Sequence, residues 1–544
     1  MKCHKRWIAM LMAGIMLLSQ AEFALAEQTD NEKPKTYSLE FTDQVQGWKK
    51  STNAKFGVTY VTATAVYCQY PTHPGVQSVA IYAPADYVNE DGTINKTAQV
   101  GQYTAETAPM VYWNSSGSYI GMGPFKINGN STRSTQYGWV LNLINNGIVV
   151  CMVGERGKTT TDDEKNVIGR GPVAISDLKA GVRFLKHNDN VIPGSSERII
   201  SVGTSSGGAM SALLGASGNN PYYEPWLEAI GACMEETDDV YATQTYCPIT
   251  DLSHADYAYA WTFGAYQDEM TDFEKALNDL LAQEFVSYIN GLELADEDGN
   301  ALTLAEDGSK SGTYYDWLME HYEAAFEDYA ANYEENYARY ATGAKEGAAD
   351  AALWDFLTWD AEIDTAAMIT PEGYDNALDA LVLSDYVSVK KGVPPAFDKL
   401  TMLGGDNELF GEQHTQVNTE RSARHYNQAI AEMIGSLKDE FPEEYQEYYQ
   451  LYYDESHEAE VEDWSIYLNA YSFLTGAAES DVSPYFRVSM GTQDTDTSPF
   501  VSATLALLLQ KRGVQTQFQL LWAWGHNDVD TPTGLLNWIQ AICP

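Results

Sequence analysis

Between Ile199 and Ala209 the chain reads Ile-Ile-Ser-Val-Gly-Thr-Ser-Ser-Gly-Gly-Ala, an apolar run that breaks into glycines around a serine. Such a run predicts a buried strand, a sharp turn and the start of a helix. Within it, Gly203-Thr204-Ser205-Ser206-Gly207 has the spacing G-x-S-x-G, a turn that lifts a serine Oγ clear of the sheet. The flanking glycines are needed because a side chain there would strike the neighbouring strand or helix. A turn of this kind needs a parallel sheet under it, and parallel strands need crossover helices between them.

The rest of the sequence supplies those elements in order. Phe56 to Tyr67, Val79 to Tyr82, Met110 to Trp113 and Ile148 to Val153 read as strands, and Trp139 to Leu143 as a helix. Pro172 opens a helix with Ile175, Leu178, Val182 and Leu185 at helical spacing and Arg183 and Lys186 among its polar positions. After the serine turn, Ala242 to Tyr246 reads as a strand ending at Pro248-Ile249-Thr250-Asp251. From Trp261 to about Ala477 the chain becomes rich in Glu, Asp, Tyr and Ala, with long helical stretches such as Tyr314 to Ala341 and Ala429 to Tyr453. Tyrosines at helical spacing there predict packing, and the carboxylates a solvated face. The strand-and-helix pattern returns with Tyr485 to Met490, a helix from Pro499 to Gln510, the strand Thr516 to Trp522 and a closing helix around Leu535 to Ile542. The expectation is an α/β-hydrolase fold with a large, mainly helical lid insertion: core at 27–260 and 478–544, insertion at 261–477.

At 544 residues with 77 acidic against 32 basic side chains, the formal charge is −45. A polyanion such as nucleic acid would be repelled, and an anionic membrane is an equally poor partner. Lys2, Lys5 and Arg6 precede the apolar run Trp7 to Leu18 and the small-residue site Phe23-Ala24-Leu25-Ala26, so residues 1–26 read as a secretory signal and the mature chain as secreted or periplasmic. The apolar run is shorter than the ~20 residues a bilayer span needs. Beyond Cys3 the cysteines are Cys68, Cys151, Cys233, Cys247 and Cys543, an odd number whose spacing matches no metal site; no metal or other cofactor is expected. Cys151 and Cys247 read as small buried hydrophobes, and a Cys233–Cys247 bridge is not favoured.

A serine nucleophile needs a base, and the base an orienting carboxylate. Among the nine histidines, His526 follows the last strand and precedes the closing helix, the place this fold gives its base. Three aspartates compete for the acid: Asp251, Asp494 and Asp496. Asp494 is favoured because it ends the strand before the histidine strand. The Ser206 amide, with a second from the loop Ser116-Gly117-Ser118, Gly117 foremost, would form an oxyanion hole. Asp496 has a plainer alternative, as a cap on the helix that follows.

Residues Arg170 to Trp261, with Gly203 to Ala209, Ser211 to Ala216 and Tyr246-Cys247-Pro248-Ile249-Thr250-Asp251-Leu252, resemble bacterial tannases of subtype B, close to feruloyl esterases. So do Pro395-Ala396-Phe397-Asp398, Leu409-Phe410-Gly411, Asp494-Thr495-Asp496-Thr497-Ser498 and Gly525-His526. The resemblance implies a serine esterase that opens galloyl ester bonds through an acyl-enzyme, with Ser205, Asp494 and His526 as triad and a small phenolic ester as its partner. It further implies that Asp496 accepts galloyl hydroxyls with a lysine, Lys391 (Lys390 lies beside it), and an acid, Asp406 by spacing or Glu408 by chemistry. Cysteines that sit beside the serine and histidine in fungal-type relatives are replaced here by Thr204 and Gly525. A feruloyl or other aryl esterase, a serine peptidase and a non-catalytic binding module on the same fold are the alternatives.

Overall fold

Three consecutive apolar segments, Met110–Asn114, Val149–Val153 and Ile199–Thr204, lie side by side at the centre of a sheet, where both faces are covered. The computed structural model describes residues 35–331 and 391–544, apart from 54–55, 115, 128–134, 268–269, 523 and 532. The proposed signal, residues 1–26, and Lys390 lie outside the described residues. Residues Tyr37–Pro544 form one unit, separate from Met1–Thr36, and this unit is described below.

Its main sheet has nine strands: β1 (Lys49–Thr52), β2 (Thr59–Val66), β3 (Ser78–Pro84), β4 (Met110–Asn114), β5 (Val149–Val153), β6 (Ile199–Thr204), β7 (Ala242–Tyr246), β8 (Tyr485–Gly491) and β9 (Gln515–Leu521). Their spatial order is β1-β2-β3-β5-β4-β6-β7-β8-β9. The first three form an antiparallel meander that joins β5 antiparallel, and the rest run parallel. Lys49 and Lys50 lie on the outer strand, where charge discourages further strand pairing. From β4 the chain steps to β5 on one side and then returns past β4 to β6 on the other. The crevice beyond the carboxyl ends of β4 and β6 is therefore the topological switch point, where open α/β sheets bind ligands.

Helices α1 (Thr135–Asn145), α2 (Val173–His187) and α3 (Ser206–Ala216) follow β4, β5 and β6. From Val173 to Leu185 every residue of α2 is buried, so Arg183, expected at a polar position, is inside. Its guanidinium shares the Asp238 carboxylate with Lys179, at 2.6 and 2.7 Å, and a second buried pair joins Arg156 to Asp177 at 2.8 Å. Periodicity cannot distinguish a polar face from a buried charge whose partner lies far away in sequence.

The insertion is mainly helical: α4 (Leu252–Phe263), α5 (Asp272–Gly291), α6 (Thr313–Ala331), α7 (Gln428–Ser436), α8 (Pro442–Ser456), α9 (Ala459–Tyr467) and α10 (Ala470–Thr475), with a short hairpin pairing Leu294–Ala295 to Ala301–Leu302. The expected boundary between 260 and 261 falls inside α4. The single helix expected over Ala429 to Tyr453 is two helices, because Pro442 at the first position of α8 holds Phe441 out of helical geometry, at φ −126° and ψ 67°. Along α8, Tyr445 stacks on Tyr449 with ring centroids 4.7 Å apart, the packing role expected of i,i+4 tyrosines. Helix α6 is described as far as Ala331, and the rest of its expected span lies outside the described residues. Trp261 packs edge-on against Phe500 of α11 (Pro499–Lys511), with centroids 5.0 Å apart, and so joins the insertion to the core. Helix α12 (Gly534–Ile542) closes the fold.

Candidate active site

Ser205 stands between β6 and α3 at φ 63° and ψ −126°, a conformation a non-glycine residue adopts only when its surroundings hold it there. Its N–H donates to the Tyr246 carbonyl at 3.0 Å, and its carbonyl accepts from the amides of Ile249 (3.1 Å) and Ala209 (3.0 Å). A Cβ on Gly203 would lie 2.2 Å from the Gly207 carbonyl oxygen, and one on Gly207 would lie 2.4 Å from Asn114 Oδ1. Both glycines are thus required by close approach. The turn places the Ser205 Oγ at the amino end of α3, where free N–H groups and the helix dipole favour negative charge.

His526, on the loop after β9, brings Nε2 to 2.8 Å from Ser205 Oγ, and its Nδ1–H donates to Asp494 Oδ2 at 2.8 Å. The Asp494 side chain is fully buried, and its Oδ1 accepts the Asp496 amide at 2.9 Å. Burial alone would lower the His526 pKa. The Asp494 carboxylate outweighs it and, with Asp496 adding and Lys391 opposing, leaves the imidazole above its ordinary value. The histidine loop is held from below: Asp530 takes the Arg487 guanidinium at 2.6 Å and the Tyr246 hydroxyl at 2.8 Å. The Thr204 hydroxyl donates to Asp528 and ties the serine turn to the same loop.

Asp251 is elsewhere. Its oxygens accept from His254 Nδ1 (2.8 Å), the Tyr288 hydroxyl (2.8 Å) and Asn469 Nδ2 (2.7 Å), so it braces the insertion against the core. Of the three aspartates, the structure brings Asp494 to His526. Nor does Asp496 cap α11, since the Ser498 hydroxyl accepts the Phe500 N–H at its start.

The loop after β4 folds over the amino end of α3. The Ser116 carbonyl accepts the Gly207 amide at 2.9 Å, and the Tyr119 amide donates to Ser206 Oγ at 2.9 Å. Gly117 lies between these two anchors, and a Cβ there would meet nothing within 4 Å. Ser206 is the first residue of α3, so its N–H has no acceptor one turn back. Below the loop lies Glu155, fully buried, with neither carboxyl oxygen in a well-formed hydrogen bond among the described residues. Burial foremost, then the Asp177 charge, pushes its pKa far above the carboxylate range, against a weaker opposing effect of the Ser116 hydroxyl.

A carboxyl whose folded pKa is raised binds its proton more tightly folded than unfolded, so its contribution is present below the ordinary carboxylate pKa and is lost as pH rises above it. Glu155→Gln is therefore expected to match wild type in thermal unfolding at pH 4. At pH 7 to 8 it should be more stable by roughly 1–3 kcal/mol, the scale for a poorly satisfied buried polar group. Equal midpoints across that range would mean that Glu155 is ionised and paired.

On the side facing the insertion, Lys391 Nζ lies 3.8 Å from Asp406 Oδ2 and 4.6 Å from the centre of the Phe397 ring. Its amide donates to the Tyr259 hydroxyl at 3.1 Å, which donates in turn to the Thr495 carbonyl at 2.9 Å. The lysine loop is thereby tied to the Asp494–Asp496 loop. Glu408 takes a different partner, the buried Lys158, at 3.2 Å. Lys391 and Asp496 therefore act on His526, with Asp406 beside the lysine, while Glu408 sits half-exposed against Lys158. The segment is anchored by Asp256 of α4, which accepts the amides of Ala396, Phe397 (2.9 Å) and Asp398 (3.1 Å) and is pushed up to about 7 by burial. Sequence reasoning missed Lys158, Tyr259 and Asp256. Lys158 carried a usable signal, a position just past the carboxyl end of a buried strand; the other two carried none among so many tyrosines and aspartates.

All five described cysteines are free. One set of possible metal-ligating atoms among the described residues, from Cys247, Asp494 and His526, lies within 4.8 Å of one another. Two of these already serve each other in the serine–histidine–aspartate chain.

A family model described as BD-FAE matches residues 126–291, which include the serine turn but neither Asp494 nor His526. The native tannin acyl hydrolase from Lactobacillus plantarum superposes with a TM-score of 0.68 at 28% identity, over 91% of this chain and 97% of that one. The chain has the α/β-hydrolase fold and is similar to bacterial tannases. The Fusobacterium nucleatum tannase agrees at 27% identity and a TM-score of 0.69, over 91% and 98% of the two chains. A tannin acyl hydrolase in complex with ethyl gallate gives 28% and 0.69, over 91% and 97%. No curated protein matches by sequence.

Proposed function

We propose that this protein is a secreted serine esterase that hydrolyses galloyl esters. The observation that carries the reading is the hydrogen-bonded chain Ser205–His526–Asp494, with Lys391, Asp406 and Asp496 gathered beside it. Ser205 Oγ attacks the ester carbonyl as its proton passes to His526 Nε2, and the Ser206 and Gly117 amides receive the oxyanion. Collapse breaks the bond to the alcohol, which leaves with the proton from His526, and the acyl group remains on Ser205. His526 then takes a proton from water, hydroxide adds to the acyl carbon, and the free acid departs as Ser205 recovers its proton.

The acyl preference follows from donor chemistry. Three vicinal phenol hydroxyls offer hydrogens to Asp496 and Asp406, and the Lys391 ammonium stabilises a phenolate. A feruloyl ring offers one hydroxyl and a methoxy group, which leaves a buried carboxylate without its donor. Similar tannin acyl hydrolases have been crystallised with ethyl gallate and with 3,4-dihydroxybenzoate, which supports a phenolic acyl group here.

The test compares kcat/KM on methyl gallate and methyl ferulate, together with labelling by a fluorophosphonate. Gallate is expected to lead by on the order of 10² or more, with the label on Ser205. Preference for ferulate would overturn the substrate, and an unlabelled Ser205 or cleavage of chromogenic peptides instead would overturn the reaction. Secretion rests on residues 1–26 alone; sequencing of exported protein should begin at Glu27, and retention of those residues would overturn it.

A further inference from the structure

We propose that Cys247 is a positioning residue for Asp494, its thiol serving as a third hydrogen-bond partner that fixes the carboxylate against His526. The inference rests on the reading of Ser205, His526 and Asp494 as a triad. Cys247 directly follows β7, and its backbone is held at φ 44°, a left-handed value rarely tolerated by a residue with a side chain. Its amide donates to the Ser489 carbonyl at 2.8 Å, which turns the side chain under the ends of β8 and β9. The sulfur is fully buried and lies within 4.8 Å of both an Asp494 oxygen and a His526 nitrogen. Its sulfur faces the Asp494 side chain and the amides of Gly491, before the acid, and Asn527, after the histidine. One atom thus links the three segments on which the triad geometry depends.

The direction of the thiol bond is settled by its surroundings. Burial and then the adjacent Asp494 charge push the Cys247 thiol far above its ordinary range, so it stays S–H and donates to the carboxylate. Asp494 then has His526 on Oδ2, the Asp496 amide on Oδ1 and the thiol as a further donor, within the capacity of a carboxylate. The thiol donor orients the carboxylate and draws part of its charge away from the imidazole. Without it, the carboxylate charge falls more heavily on His526 and the imidazole becomes more basic. The other charged groups facing His526, Asp496 and Lys391, are unchanged by substitution at Cys247.

The experiment measures kcat/KM against pH on one ester for wild type, Cys247→Ala, Cys247→Val and Cys247→Ser, with thermal melts to confirm folding. Valine keeps the volume should alanine fail to fold. Both apolar variants are expected to lose about tenfold in kcat/KM with KM little changed, and to move the acid limb to higher pH by about half a pH unit. Serine, which retains a donor, should keep the limb at the wild-type position. An acid limb that is unmoved or moved downward in the folded apolar variants, or serine indistinguishable from alanine, would overturn the proposal and leave Cys247 a packing residue. Activity retained by Ser205→Ala in the same series would instead overturn the triad reading beneath it.

Discussion

Asp494→Asn is expected to lower kcat/KM by about 10⁴, close to the loss from Ser205→Ala, whereas Asp251→Asn should stay within a few-fold of wild type. The reason is directional. Asp494 Oδ2 accepts from Nδ1 of His526, which leaves Nε2 unprotonated and able to take the Ser205 proton. An asparagine amide in that place can donate to Nδ1 and so stabilises the tautomer with its proton on Nε2, which cannot act as base toward Ser205. Asp251 is a receptor for three donors and touches none of the reacting atoms. Its asparagine variant loses acceptor capacity and should melt earlier by about 1–3 kcal/mol while retaining turnover. The paired measurement is kcat/KM with a thermal melt on each variant; a dead Asp251→Asn beside an active Asp494→Asn would reverse the assignment. The acid limb of the wild-type profile should lie above the ordinary imidazole pKa of about 6.5, because the negative charge of Asp494 favours the protonated ring.

What the sequence made legible is what local chemistry determines. β4, β5 and β6 were visible as apolar runs because strands covered on both faces have no polar positions to interrupt them. The serine turn was visible because two close backbone approaches admit only glycine. His526 was visible from its place after the last strand and before α12. Among three candidate acids Asp494 was favoured only by its place at the end of the strand before the histidine strand, because nothing within a few residues of Asp251 or Asp494 records which carboxylate faces the histidine across the sheet. For the same reason Asp406 and Glu408 could not be separated: their partners differ in origin, Lys391 in the insertion and Lys158 in the core after β5. Cys247 resembled any small buried hydrophobe, since its partners arrive from the ends of β8 and β9, more than two hundred residues later. The buried ion pairs of α2 and the break before Pro442 were hidden likewise by tertiary packing.

The acyl-recognition side is where two substitutions should agree in one measurement and oppose each other in another. Asp496→Ala and Lys391→Met are each expected to lower kcat/KM on methyl gallate by 10- to 100-fold, the cost of a charged hydrogen bond withdrawn from a shielded site. Hydrolysis of a simple aryl acetate, which offers no phenol hydroxyl on its acyl group, should remain within a few-fold. The two side chains act on His526 with opposite sign: Asp496 raises its pKa and Lys391 lowers it. The acid limb should therefore move to lower pH in Asp496→Ala and to higher pH in Lys391→Met, although both lose gallate selectivity. In Asp496→Ala the backbone amide that donates to Asp494 Oδ1 is retained, so the triad keeps that support. Equal losses on gallate and aryl acetate in Asp496→Ala would make this carboxylate a servant of the triad rather than of the acyl ring. Limbs moving in the same direction would mean that one of the two charges does not face the imidazole. Opposed limbs with shared loss of gallate are the pattern that only a charge pair spanning both the acyl ring and the histidine produces.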